Sequence, residues 1–453
     1  MAVIVVADEK QQQKDLPAAK SYDGNNCLAR VRSPITQQQL DEYQHNFDSD
    51  PKAQLAALSI KNASYATALE NREVYSTVLA VFSHSIQTKV NITDQKQSGR
   101  CWIFAGLNML RQSLMKAQNI DEFEFSQSYL FFYDKLERAN WFLENILDTL
   151  DEDLDGRVVQ YLLHDPISDG GQWDMFVSLV EKYGLMPKAA YPETLHSSSS
   201  RNMDWLLTVK LREYAHRLRS KHAAGVPLST LHSVRTGMLD EIHRILTISL
   251  GKPPTKFDWV FEDKDGKYKE FLDMTPQRFY KEVVGVDLTN TVSLINDPRN
   301  AYYKQYTVKY LGNIVGGIPV HYVNLPIERV KDLVTKVIVD KRPVWFGCDV
   351  GKFINASKGI LDLQAVDYKA GFDVEFGLSK ADRLRYGESM MTHAMLFTGV
   401  HLRGDERLRW RVENSWGPTY GVQGYLVMSE GWFDEYVYQV ILEKKDLPDD
   451  VLE

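Results

Sequence analysis

The apolar pattern of the chain changes character near Pro253, and this change constrains the fold more than any other feature. Before it, apolar residues recur at helical spacing in long segments. After it, short β-branched and aromatic runs are divided by Gly and Pro, at 318–323, 343–348, 393–400 and 408–412. A helix-rich first part followed by a strand-rich second part indicates an α+β fold.

Length and composition limit the class of protein. At 453 residues the chain exceeds the size at which one core keeps growing, so we expect two or three packed subdomains. The formal net charge of -8 gives no global attraction to nucleic acid or to anionic membranes. We expect no membrane span, because no apolar run approaches the roughly 20 residues that a span requires, and the N-terminus lacks the pattern of a signal peptide.

The cysteine content indicates the compartment. Cys27, Cys101 and Cys348 are the three cysteines of the chain. An odd and sparse set does not provide the disulfide framework of small secreted domains. We therefore expect a reducing, cytoplasmic location.

Four regions are predicted along the chain. Residues 1–51 are polar and irregular and predict a mobile N-terminal leader. Residues 52–196 predict a helical lobe, 197–290 an inserted helical region and 291–453 a β-rich lobe. The insertion is long and charged, and its predicted buried positions are Leu211, Tyr214, Leu218, Met238, Ile242 and Leu246.

The segment 101–117 predicts a helix that starts at Cys101. Its apolar residues, among them Leu107 and Leu114, recur on one face, and Ser98 is the predicted N-cap. A thiol in the first turn of a helix lies at the positive end of the dipole and can ionise. A lone cysteine in an apolar stripe is more often a buried structural residue, so this placement alone assigns no function.

Three further features favour a catalytic cysteine. Gln95 lies in the loop before Cys101, and from there its side-chain amide could donate to a developing oxyanion. His393 begins an apolar strand, and Asn414 follows another, where its amide could accept from the imidazole N–H under the indole of Trp416. Each feature is weak alone, because such a histidine is often structural and such an asparagine is an ordinary turn residue. The chain order Gln, Cys, His, Asn indicates nucleophilic catalysis.

These residues resemble the papain pattern of a cysteine followed by distant His and Asn. Ser98 stands where papain has a disulfide cysteine, and Arg100 stands where papain has a small residue. The separation between Cys101 and His393 is about twice the roughly 130 to 150 residues typical of that family. An insertion is therefore required, and the charged helical block that ends near Pro253 supplies it.

Where the sequence departs from papain, it resembles the bleomycin hydrolase family, the intracellular branch of the papain-like cysteine peptidases. The likeness extends from about Lys52 to Leu452 and is carried by six segments: 95–102, 122–132, 169–173, 296–299, 389–395 and 411–417. The resemblance implies a papain-like two-lobed α+β fold with a helical lobe, a β-barrel-like lobe, a helical insertion and an N-terminal extension. It also implies hydrolysis of peptide and amide bonds without a cofactor or a metal.

The resemblance assigns roles to individual residues. Cys101 would be the nucleophile, His393 its base, Asn414 the residue that orients the histidine, and Gln95 an oxyanion donor. Gly170 and Gly171 resemble the glycine pair that binds an extended substrate backbone, although a plain turn before a helix is the alternative. Trp416 would complete the substrate-binding set.

The family also implies a homohexamer and a C-terminal arm whose carboxylate holds the substrate amino group. Because this sequence stops at Glu453, before such an arm, we expect the aminopeptidase restriction to be relaxed and internal cleavage to occur. Two other functions stay open. A Cys-His acyl transferase would pass the acyl group to an amine instead of water, and a nucleic-acid-binding assembly would have vestigial catalysis.

Overall fold

The structure, a computed structural model, describes residues 4–6, 33–86 and 91–452. Within these ranges the α-helices are α1 (Gln37–Asp48), α2 (Pro51–Ile60), α3 (Tyr65–Ala68), α4 (Arg72–Thr77), α5 (Cys101–Gln118), α6 (Gln127–Asp148), α7 (Arg157–His164), α8 (Trp173–Tyr183), α9 (Leu195–Ser198), α10 (Arg201–Ala223), α11 (Leu228–Leu250), α12 (Pro276–Arg278), α13 (Ile327–Val339), α14 (Tyr368–Phe372), α15 (Lys380–Arg385), α16 (Glu430–Tyr436) and α17 (Asp449–Leu452). Short 3-10 helices span Lys188–Ala190, Leu288–Asn290 and Lys444–Asp446, and a π-helical turn spans Phe279–Val284.

The strands are concentrated in the second half of the chain, as the sequence predicts. They are β1 (Ile4–Val6), β2 (His84–Ser85), β3 (Phe257–Glu262), β4 (Tyr268–Met274), β5 (Thr291–Ile295), β6 (Lys304–Val308), β7 (Tyr322–Asn324), β8 (Val344–Cys348), β9 (Ile354–Asn355), β10 (Ile360–Leu361), β11 (His393–Arg403), β12 (Glu406–Glu413), β13 (Tyr425–Ser429) and β14 (Val437–Glu443).

The predicted leader is described only in part. Residues 1–3 and 7–32 lie outside the described residues, so its predicted mobility stays a prediction. The end of the leader is helix α1, which is exposed along its length. A capping box starts this helix, because the side chains of Thr36 and Gln39 each accept from the other's backbone N–H. Asp50 caps α2 with its carboxylate, which accepts from the backbone N–H groups of Lys52 and Ala53.

The helical part of the molecule has one core. Helices α5, α6 and α8 pack against one another, and α10 and α11 pack against α6. Leu114 of α5, Leu143 of α6 and Ile242 of α11 belong to the same buried cluster. All six positions predicted to be buried in the charged helical block are buried. This block is therefore packed into the main core and is not a separate appendage.

The strands outside the β3–β4 hairpin form one sheet, in the order β1-β6-β7-β5-β14-β8-β11-β12-β13-β10-β9, with β2 paired to β11. A barrel would require the two edge strands to pair with each other. Here β1 and β9 stand at opposite ends of the order, so the prediction of a β-barrel-like lobe is wrong in this respect and the sheet is open. Helices on both faces bury its apolar surface without closure.

The central strand β11 is covered on both sides. Ala394 and Leu396 belong to the cluster that includes α5, whereas the alternating residues Met395 and Phe397 belong to the cluster that includes α13. This double burial explains why the sequence reads as a continuous apolar run instead of an alternating one. The sheet thus places the start of β11, at His393, beside the start of α5.

Among the described residues, no helix combines the length and the apolarity needed to cross a membrane.

Candidate active site

Helix α5 begins at Cys101, as the sequence predicts, but Ser98 is not its N-cap. The N-cap position belongs to Arg100, whose side chain makes no capping hydrogen bond. The Ser98 hydroxyl donates to the Gln95 carbonyl oxygen at 2.7 Å and accepts from Arg100 Nε at 2.9 Å. Ser98 therefore stabilises the loop before the helix, and the first N–H groups of α5 remain free of a side-chain cap.

Arg100 is a buried anchor for the start of α5. Its guanidinium is fully buried and bonds both carboxylate oxygens of Glu193, at 3.0 and 2.9 Å. It also lies 5.1 Å from the ring centroids of Phe104 and Phe131. A bidentate pair between aromatic rings fixes the guanidinium plane, so the backbone just before Cys101 is held in one conformation.

The Cys101 thiol is buried where helix α5 packs against strand β11. Only 8% of the residue is exposed, and burial raises the pKa of the thiol to about 11. Backbone N–H groups of Ala394 and Trp102 oppose this effect, and the charge of Asp169 adds to it. Since Ala394 follows His393 on β11, the sulfur lies near the start of this strand.

His393 and Asn414 form a buried pair. Nε2 of His393 lies 2.9 Å from Oδ1 of Asn414, which also accepts from the Ser415 backbone N–H at 2.7 Å. The Trp416 ring lies over the imidazole, with 5.0 Å between the ring centroids and 33° between the planes. Burial lowers the pKa of His393 to about 4, although the bond to Asn414 favours the charged form. The shielding of this bond by the indole stays a prediction.

Gln95 lies in the loop before α5 and is buried. Its Nε2 donates to the Ser98 carbonyl oxygen at 2.6 Å, and its Oε1 accepts from the Ser415 hydroxyl at 2.7 Å. These two bonds orient the amide, and they use only one of its two N–H groups. They also connect the loop before Cys101 to the segment that carries Asn414.

Gly170 and Gly171 lie in the loop before α8, next to the start of α5. A Cβ on Gly171 would lie 2.5 to 2.7 Å from atoms of the Trp102 ring, whereas a Cβ on Gly170 would meet nothing within 4 Å. Arg138 donates to the Gly170 carbonyl oxygen from behind. Gly171 is therefore required for packing, and Gly170 keeps an open surface where another backbone can approach.

The sequence predictions missed a buried ion pair beside the site. Arg111 of α5 and Glu413 of β12 are both buried and lie 2.7 Å apart. Arg111 occupies the apolar face of α5, four residues after Leu107 and three before Leu114. A charged residue within an apolar stripe is the signal that could have identified it, because such a charge must be paired.

No metal site is evident in the described ranges, where no group of three or more His, Cys, Asp or Glu side chains could hold an ion. The described cysteines, Cys101 and Cys348, are both free.

A cysteine at the start of a helix, packed against the strand that carries a buried histidine–asparagine contact, fits the papain-like cysteine peptidases. The family model described as Peptidase C1-like matches residues 34–453, and the chain belongs to this family.

Similar proteins agree with this assignment. Bleomycin hydrolase of Rattus norvegicus is 47% identical over 383 residues, which cover 82% of this chain and 84% of the relative. Aminopeptidase C of Lactococcus lactis subsp. lactis is 43% identical over 410 residues, with 90% and 92% covered. The crystal structure of pepw from Lactobacillus rhamnosis superposes with a TM-score of 0.90 at 42% identity, covering 93% of this chain and 94% of the other. The predicted family, the papain-like α+β fold and the peptidase class are confirmed.

Proposed function

We propose that this protein is a cysteine aminopeptidase that hydrolyses peptide and amide bonds, with Cys101 as the nucleophile, His393 as its base and Asn414 as the residue that orients the histidine. The observation that carries the proposal is the 2.9 Å contact between His393 and Asn414 at the start of β11, where the next residue offers its N–H to the Cys101 sulfur. The names of the relatives, bleomycin hydrolase and aminopeptidase C, support the substrate class.

The tautomer of His393 follows from the hydrogen bonds of Asn414. The Ser415 N–H can only donate, so the Asn414 atom that it contacts is the carbonyl oxygen. This oxygen accepts from Nε2–H of His393, which leaves Nδ1 with the lone pair. Nδ1 is therefore the atom that takes the proton of the thiol.

Burial favours a neutral thiol beside a neutral imidazole at rest. Transfer of the proton to His393 creates two opposite charges that stabilise each other in a site of low dielectric constant. The positive end of α5 and the N–H groups of Ala394 and Trp102 stabilise the thiolate further. The nucleophile is thus generated where the substrate carbonyl arrives.

The chemistry then proceeds through a thioester. The Cys101 thiolate attacks the carbonyl carbon, and the oxyanion is stabilised by the Cys101 backbone N–H and the free N–H of Gln95. Protonated His393 gives its proton to the leaving amine as the C–N bond breaks. Water, deprotonated by His393, then attacks the thioester, which releases the acid and restores the thiol.

The substrate backbone is expected to lie along Gly170 and Gly171. Gly170 is open, and the Arg138 guanidinium already occupies its carbonyl oxygen, so its N–H group and surface remain for the substrate. Trp416 covers His393 on another side of the site. These residues form the proposed substrate-binding set.

A pair of matched peptides tests the reaction and the restriction to a free amine. The same short peptide amide is supplied with its N-terminus free and acetylated, and products are identified by mass. The likeness to aminopeptidase C favours release of N-terminal residues as free acids from the unblocked peptide alone, in place of the internal cleavage expected from the sequence. Transfer of the acyl group to an added amine in preference to water would indicate an acyl transferase, and cleavage of the blocked peptide would show that a free amine is not required.

We further propose a cytoplasmic homohexamer that does not depend on nucleic acid. Exposed apolar side chains on and beside α1 and α2, namely Ile35, Leu55 and Leu58, support self-association. The free cysteines support a reducing compartment. Light scattering of the native protein, cell fractionation and a DNA mobility shift at physiological salt test the three parts, and a salt-sensitive shift would favour the nucleic-acid alternative.

A further inference from the structure

A buried lysine joins two carboxylates next to the candidate site. Lys135 of α6 is fully buried, and its Nζ lies 2.6 Å from Asp169 and 2.7 Å from Asp204. The same ammonium donates to the carbonyl oxygens of Ile167 and Ser168 at 3.1 Å each. An unpaired ammonium at this depth would be very costly, so the cluster holds its parts firmly together.

Asp169 uses its second carboxylate oxygen to hold the segment before the nucleophile. Oδ2 accepts from the Gly99 backbone N–H at 2.8 Å and from the Ser200 hydroxyl at 2.6 Å. The Asp169 backbone oxygen accepts from the Trp102 indole at 2.7 Å. A Cβ on Gly99 would lie 2.6 Å from the Asp169 Cβ, so the contact requires glycine at that position. One residue thus bonds both sides of Cys101 in sequence.

The cluster also reaches the inserted helical block. Ser200 is the residue before α10, and Asp204 lies in its first turn. Burial would raise the pKa of Asp169, but Lys135 and the bonds from Ser200 and Gly99 hold it well below its usual range, so this carboxylate is charged. Burial raises the pKa of Asp204 to about 6 against the effect of Lys135. Lys135 and Asp169 therefore form a charge pair in this cluster.

We propose that Asp169 is a positioning residue that fixes the Gly99–Cys101 segment relative to the Gly170–Gly171 wall, with Lys135 and the start of α10 as its support. The inference deepens the proposed function and rests on it, because the wall is expected to align the substrate backbone with the Cys101 sulfur. In this account the insertion contributes to substrate alignment through Ser200 and Asp204, although neither touches the reacting atoms.

Removing the charge of Asp169 should affect substrate alignment and the reactivity of the Cys101 thiol in opposite directions. Its negative charge disfavours the thiolate, so neutralising it makes Cys101 no less reactive toward a small reagent. Alignment of a peptide should suffer at the same time. In Asp169→Asn the carboxamide cannot accept from Gly99 and Ser200 while keeping an oxygen toward Lys135, because its NH₂ group would then face the ammonium.

The experiment measures peptide hydrolysis and iodoacetamide alkylation of Asp169→Asn in the full-length protein. We expect kcat/KM to fall by about 10- to 100-fold, mainly through KM, because a displacement near 1 Å has costs of this order. The rate of Cys101 alkylation at neutral pH should be unchanged or higher. A kcat/KM within twofold of the parent, or a parallel loss of alkylation and hydrolysis, would overturn the proposal.

Two further variants keep the test decisive. Glu137→Gln is the matched control. Glu137 is a buried carboxylate of α6, the helix that carries Lys135, and it contacts Lys182 and Tyr183 instead of the loop before Cys101. The kcat/KM of this variant should stay near that of the parent. Ser200→Ala removes one hydrogen bond to Asp169 and should raise KM in the same direction, by less. If Asp169→Asn does not fold, Ser200→Ala takes its place in the test. An unchanged KM of Ser200→Ala would then overturn the proposal. Hydrolysis that survives Cys101→Ala would instead refute the proposed function.

Discussion

Arg111 Nη2 and Glu413 Oε1 lie 2.7 Å apart in the interior, and the two residues join helix α5 to the last residue of strand β12. Arg111 also donates to the Asn91 carbonyl oxygen at 3.0 Å. Asn414 is the next residue after Glu413, so this ion pair ties the element that starts with Cys101 to the residue that contacts His393. The relative position of Cys101 and His393 therefore depends on a charge pair that contacts neither of them.

Breaking this pair should destabilise the protein strongly. Glu413→Gln leaves the Arg111 guanidinium buried without its counter-charge, and we expect a loss of about 3 to 5 kcal/mol in the free energy of unfolding. Urea denaturation followed by tryptophan fluorescence measures it. The double variant Arg111→Met, Glu413→Leu removes both charges and should be more stable than Glu413→Gln. Additive losses in the double variant would show that the pair is not coupled.

Cys101 and Cys348 should respond differently to replacement. Cys101→Ala should abolish hydrolysis while the protein folds, because the sulfur is the proposed nucleophile and its removal leaves little empty volume. Cys348→Ala should retain activity, since this residue is fully buried in β8 and burial raises the pKa of its thiol well above the usual value. Mass spectrometry after iodoacetamide treatment should find the label on Cys101. Equal losses of activity in the two variants would contradict the assignment.

The histidine should matter more than the asparagine. His393→Ala removes the group proposed to transfer the proton, a step usually worth about 10²- to 10⁴-fold in rate. Asn414→Ala removes only a bond that orients the ring, so its kcat/KM should fall less. Steady-state kinetics of both variants on one peptide gives the ranking. If His393→Ala were the milder change, the base would have to be another residue.

The pH profile should extend further into acid than an ordinary histidine allows. Burial lowers the pKa of His393 to about 4, so the ring stays neutral and can accept the thiol proton down to pH values well below 6.5. Protonation of the free enzyme below that range removes the acceptor, and kcat/KM should fall there. Since the bond to Asn414 raises the pKa, Asn414→Ala should move the acid limb to lower pH. A limb of the parent at or above pH 6.5 would contradict the effect of burial.

The two glycines of the wall should be distinguishable by alanine substitution. Gly171→Ala pushes a methyl group into the Trp102 ring and should cost about 1 to 3 kcal/mol of stability. Gly170→Ala meets open space, so stability should change by less than about 0.5 kcal/mol while KM rises. Thermal unfolding and kinetics separate the two effects. An unchanged KM in Gly170→Ala would exclude the backbone-binding role of this position.

The apolar periodicity of the sequence predicted helices best where the buried face of the helix consists of apolar residues. The sequence predicts a helix over 101–117, and α5 spans Cys101–Gln118. A second apolar run at helical spacing covers only residues 126–135, whereas α6 continues to Asp148. The difference arises because Asp134, Lys135 and Arg138 interrupt the apolar pattern, although all three are buried in ion pairs. The partners of such charges lie far away in the chain, and periodicity does not contain that information.

The sequence named candidate site residues but not the contacts that support them. Cys101 starts α5, His393 starts β11 and Asn414 follows the end of β12. The contacts that hold them involve Asp169 and Arg111, which no local pattern connects to the site. The roles of these residues and the four predicted region boundaries remain predictions. The open edges of the sheet could not be predicted either, because the pattern of residues within a strand does not specify whether a sheet closes into a barrel.

Ser98 stands where papain has a disulfide cysteine, and here the loop before the nucleophile is held by hydrogen bonds and ion pairs, through Gly99 to Asp169 and through Arg100 to Glu193. A thiol nucleophile works only while it is reduced, and reductants that protect it also open disulfides. In the described residues around Cys101 the two requirements do not conflict. A strongly reducing solution can keep the Cys101 thiol free without loosening the contacts that hold this loop.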